Sequence, residues 1–230
     1  MAHAYFFAAA CGIISAVCVF FVSGNFRPQA IGEPVIQALS EGFTYIRQHR
    51  ILTMLIVLGL LMSFLGWSNL TMFPVMARDV LGGDADSLGF LTGAGAFGSM
   101  ISTAIIASLG DYKNKGKLVL YSGIATAIGI VLFSQSKWFP LSLVLSMLMQ
   151  AALMAFEVSL TGTVLLVTAD NMQGRVQGIY TQVFGFTWVG GFLLGSIAEL
   201  YNAPLAIGLG GLAIGAIVLL FWRPIQIASL

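Results

Sequence analysis

Charged residues are so sparse along this chain that they act as punctuation between long apolar runs. The runs are Met1–Phe26, Ile51–Ala77, Ser87–Gly110, Leu118–Ser136, Trp138–Ala169, Val176–Ala198 and Leu200–Trp222. A helix needs about 20 apolar residues to cross the hydrocarbon core of a bilayer, and each run is near or above that length. Hydrocarbon offers the backbone no partners, so such runs must satisfy their own N–H and C=O groups as helices. The pattern predicts an all-α polytopic membrane protein with seven transmembrane helices. The one long interruption, Asn25–Arg50, contains Pro28, Gly32 and Pro34. It then places Val35, Ile36, Leu39, Phe43 and Ile46 at helical spacing. That reads as a linker ending in an amphipathic surface helix.

Composition strengthens the membrane reading: 58% of residues are hydrophobic and 8% charged, where a soluble domain carries about 25% charged residues. A net charge of +1 without a basic block excludes a phosphate-backbone interface, so no nucleic-acid partner is expected. Cys11 and Cys18 stand seven apart in one run. That is about 10 Å along a helix, too far for a mutual disulfide, so both read as small packing residues. With His3 and His49 as the only histidines, neither a metal site nor a Ser–His catalytic site is expected. There is no P-loop for ATP, and no cofactor is expected. The first run is not read as a signal peptide, because no Lys or Arg precedes it and Arg27 follows it.

Lys and Arg set the orientation. Arg27, Arg47, Arg50, Lys113, Lys115, Lys117, Arg175 and Arg223 fall in alternate loops; Arg78 and Lys137 fall on the other side. The positive-inside bias then predicts an outer N-terminus and a cytoplasmic C-terminus. A short repeat supports the layout. Ser108, Leu109, Gly110, Asp111 and Asn114 match Ser196, Ile197, Ala198, Glu199 and Asn202, each 88 residues later. Both segments end the second helix of a three-helix group. Three crossings per group is odd, so the two groups are expected to be inverted relative to each other, as in transporter folds. Gly89-x-x-x-Gly93 and Gly191-x-x-x-Gly195 predict close helix approach.

Glu157 is the one charge in Trp138–Ala169. At 100° per residue, Ser146, Glu157, Gln150 and Thr161 share a stripe about 60° wide. A carboxylate beside a glutamine does not face lipid, so the stripe should face the bundle interior or a wet cavity. Glu157 is then the candidate for proton coupling or for pairing with a cationic substrate, set against a structural glutamate between helices. Gln150 and Thr161 accompany it. Asn69, lying in a span with Trp67 and Thr71, is a further cavity candidate, as are Gln182 and Trp188.

The loop Ala107-Ser-Leu-Gly-Asp111-Tyr-Lys-Asn114-Lys-Gly-Lys117 resembles the G-x-L-A-D-R-x-G-R-R/K motif of the major facilitator superfamily. Leu109, Asp111, Lys115 and Lys117 match; Ala107, Tyr112 and Asn114 depart from it. Glu41–Arg50, Phe73–Gly82 and Asp170–Tyr180 resemble family segments around the seventh and eleventh helices. Together they resemble the bacterial efflux branch of enterobactin exporters, macrolide efflux pumps and transmembrane secretion effector proteins, over residues 4–223. The resemblance implies that residues 1–26 match the sixth family helix and 27–50 the central cytoplasmic linker. Residues 51–223 would be the six-helix C-terminal half, with two inverted three-helix repeats, and 224–230 a cytoplasmic tail. Asp111, Lys115 and Lys117 are implied to support the cytoplasmic loop, and Asp170 and Arg175 to act similarly.

The resemblance also implies a bacterial inner-membrane secondary transporter exporting small amphipathic molecules, whose partners are the lipid bilayer and a small-molecule substrate. Five N-terminal family helices have no counterpart here. The expected alternatives are a fragment or truncated product inactive alone, or a protein that works with a separate N-terminal half.

Overall fold

The computed structural model describes residues 2–21, 35–109 and 115–228. The chain forms two compact units, Met1–Val35 and Ile36–Leu230. In the first, the apolar run forms one continuous helix, α1 (Ala2–Phe20). Among the described residues, six helices are long and apolar enough to cross a membrane, and all lie in the second unit. Six of the seven expected spans are thus present, while α1 stands as a helix outside that count.

The linker's amphipathic end is helix α2 (Val35–Gln48), separated by His49 from the first span. The spans are α3 (Arg50–Val80), α4 (Ala85–Ser108), α5 (Lys115–Gln135), α6 (Phe139–Val167), α7 (Asp170–Leu200) and α8 (Ala203–Ala228). Local chemistry sets several starts. The Asp84 carboxylate accepts the Ser87 backbone N–H at 3.2 Å and so caps α4. Asn202 Oδ1 accepts the Leu205 N–H at 2.8 Å at the head of α8. Pro140 sits in the first turn of α6, where its missing N–H costs no helical bond.

Two spans are not uniform. α3 is α-helical to Leu65, tightens into a 3-10 turn over Trp67–Met72 and widens into a π turn over Met76–Val80. Pro74 gives no N–H to the turn before it, so the bonding register shifts around it. Side chains take up freed carbonyls: Ser68 Oγ donates to Phe64 O at 2.6 Å, Thr71 Oγ1 to Ser68 O at 2.7 Å, and Asn69 Nδ2 to Leu65 O. α7 is interrupted by a 3-10 turn at Val183–Gly185.

The two triplets, α3–α5 and α6–α8, interlock. α4 packs on α6 and, correspondingly, α7 packs on α3; α5 packs on α6 and α8 on α3; α5 and α8 pair with each other. Each triplet's second helix therefore rests on the other triplet's first. Close approach needs glycine at both seams. A side chain at Gly98 would collide with the Met147 carbonyl, and one at Gly190 with the Phe64 carbonyl. The Gly89/Gly93 pair does not pack as its spacing predicts: a Cβ at either would meet nothing. The face of α4 that meets α6 carries Leu91, Gly95, Gly98 and Ser102 instead, all buried. Gly191 does lie against Thr71 of α3.

At one end of the bundle, α2 rests on the α6–α7 corner. Arg175 pairs with Glu41 at 2.7 Å, and the Tyr45 hydroxyl accepts the Ala169 N–H at 3.2 Å. Gly42 is buried against Ile179 and Arg175.

Candidate functional site

The polar stripe of α6 lies where its periodicity places it, with Ser146, Gln150 and Glu157 buried and Thr161 half-buried. It meets two different neighbours. Ser146 Oγ donates to the Leu91 carbonyl of α4 at 3.2 Å, and Ser99 of α4 donates to the Gln150 carbonyl at 3.3 Å. Gln150 folds over Gly95. This half of the stripe is a helix–helix seam.

Further along, Glu157 leaves α4 and meets α7. The Tyr180 hydroxyl donates to Glu157 Oε1 at 2.6 Å. Tyr180 is buried, and its ring lies across Gly59 of α3, where a side chain would collide with it. The Thr161 hydroxyl lies beside the same phenol. Trp67, at the start of the tight turn in α3, neighbours Glu157 as well. Its indole Nε1 is buried on the carboxyl's side, where it makes no hydrogen bond of normal geometry. The rings of Trp67 and Phe184 meet edge-on at 6.0 Å, and those of Tyr180 and Phe184 at 6.5 Å. Phe184 belongs to the interruption in α7. The buried carboxylate thus lies where both interrupted spans converge on α6.

The remaining candidates are distributed. Asn69 is buried in the tight turn of α3 and faces Gly210 of α8. Its Oδ1 has no partner among the described residues, as is also true of Gln150 Oε1 and Ser159 Oγ. Gln182 and Trp188 are exposed on α7 and do not join the Glu157 cluster. Asp111 lies outside the described residues. Lys115 and Lys117 fall in the first turn of α5, with Lys117 exposed. Asp170 accepts Gln173 Nε2 at 3.1 Å at the start of α7, while Arg175 holds Glu41.

Sequence reasoning missed Tyr180, Trp67 and the Glu41–Arg175 pair. One signal was available for the pair: the charge count puts both loops on the same side. A separate groove of about 490 Å³ between α5 and α8 is lined by Ile, Val, Leu, Ala and Gly, with no polar side chain to orient a solute.

A protein-family model described as transmembrane secretion effector, of the major facilitator type, matches residues 1–227. No curated protein matches the chain.

Proposed function

Since the chain belongs to the transmembrane secretion effector family of the major facilitator type, a family of multi-pass membrane proteins, we propose that it forms one wall of a proton-coupled exporter of small amphipathic molecules in a bacterial inner membrane. The observation that carries this reading is the buried Glu157, bonded by Tyr180 at the convergence of α3, α6 and α7. Carboxylates inside membrane spans mark ion and substrate pathways, and interrupted helices mark transporter binding sites.

Glu157 takes up and releases the proton. Ionised, it accepts the Tyr180 hydroxyl through a charge-assisted bond, about twice as strong as a neutral one, and ties α6 to α7. Protonated, it becomes a donor itself and its hold on the phenol weakens. The turn at Val183–Gly185, just beyond Tyr180, is where α7 re-aims when that hold changes. The opposite wall comes from an N-terminal transporter half. In support, α4 and α7 are the least covered spans and expose Phe90, Phe97, Trp188 and Phe192.

The test is export by a complete transporter that contains this half, measured as a function of pH, with Glu157→Gln. A flattened pH dependence is expected. If pH dependence and substrate range both stay as in the parent, Glu157 is a structural group and the coupling role is lost.

A further inference from the structure

Helix α2 exposes a stripe that nothing in the transport reading uses. Ile36, Leu39 and Phe43 are 82%, 46% and 57% exposed. With exposed Arg47 they span an arc of about 80° at helical spacing. The adjoining face is fastened to the bundle by buried Gly42 and Ile46, and by Glu41 and Tyr45. Glu41 is the one acidic residue of α2, and its pairing with Arg175 turns it away from the stripe. The stripe itself is apolar and then basic, with Gln37, Ser40 and Thr44 exposed beside it.

Placement says what covers this stripe. A single residue, His49, in extended conformation, separates α2 from α3. Arg50 begins a span, so the end of α2 lies at the water boundary of the membrane. From that boundary the exposed apolar surface continues along α3 through Ile51 and Val57. An amphipathic helix with this pattern lies in the headgroup layer, its apolar side against acyl chains and its cations among anionic headgroups.

We propose that α2 is a lipid-docking strap: Ile36, Leu39 and Phe43 seat in the bilayer boundary, and Arg47 with Arg50 binds anionic phospholipid headgroups. Its contacts with Ala169 and Arg175 pass the state of that seat to the start of α7. This proposal is independent of the role of Glu157.

The test is amide hydrogen exchange over residues 36–48 of the full chain in nanodiscs. One set is made of phosphatidylcholine alone and the other of phosphatidylcholine mixed with phosphatidylglycerol. The anionic discs should slow exchange, roughly fivefold per arginine engaged. Arg47→Gln with Arg50→Gln should abolish the difference between lipids. Ile36→Ser with Phe43→Ser should speed exchange in both. Slow exchange across Phe139–Val167 certifies each variant as folded; if the double arginine variant fails that control, Arg47→Gln alone should halve the lipid effect on a logarithmic scale. Equal exchange in the two lipids overturns the proposal, as does protection that is the same in detergent micelles, which would mean that protein covers the stripe.

Discussion

At the scale of single residues, the Tyr180–Glu157 bond is the contact most open to measurement. Tyr180→Phe removes the hydroxyl and nothing else, leaving a buried carboxylate without its donor. We expect a stability loss of about 1 kcal/mol in reversible unfolding from detergent micelles. A double-mutant cycle with Glu157→Leu, which removes the acceptor, should return a coupling energy of similar size; additive losses would mean that the two groups do not interact. Asp84 offers a pH test outside the spans. Hydrogen bonding from the Ser87 backbone N–H holds its carboxyl below the ordinary carboxylate range. Its stabilising contribution is therefore present above the unfolded-state value near 3.8 and is lost as pH falls through the lower folded-state value. Asp84→Ala should speed amide exchange at Ser87 at neutral pH and leave it unchanged at a pH below both values. Glu157 was legible because helical periodicity alone assigns its face. Tyr180 was not, since its importance lies in which neighbouring helix it meets, and no local pattern encodes that.

At the scale of elements, glycine has opposite meanings on a single helix. Gly98→Val pushes a side chain into the Met147 backbone, and Gly190→Val does the same at Phe64. Each should cost about 1–3 kcal/mol or more, read as a lower midpoint of thermal unfolding in detergent. Gly89→Ala and Gly93→Ala, which meet open space, should leave that midpoint in place. The glycine spacing announced that α4 has a small-residue face, but α4 carries small residues on several faces. Only tertiary packing selects Gly95 and Gly98 over Gly89 and Gly93. The interruption of α3 was partly written in Gly66 and Pro74. That of α7 has no proline to announce it, and only packing against α3 makes it visible.

At the scale of the molecule, six spans in two triplets require Lys117 and Asn202 to lie on opposite sides of the membrane. Single cysteines at these positions, with Cys11 and Cys18 replaced by alanine, should react with an impermeant maleimide from opposite faces. Labelling of both from one face would refute the inverted arrangement. This level was the most legible, because the energetic cost of charge in hydrocarbon writes the span boundaries directly into the sequence. The exchange of partners between triplets was not, because identical boundaries would also fit two triplets that each pack on themselves.

That exchange has a consequence for how the protein is made. Spans leave the ribosome in order, yet α3 must wait for α7, and α4 for α6, before its closest neighbour exists. The first three helices thus enter the bilayer with their glycine seam uncovered, and the bundle locks only once the second three have followed. Assembly is committed late, because neither seam can close before the second triplet is in place.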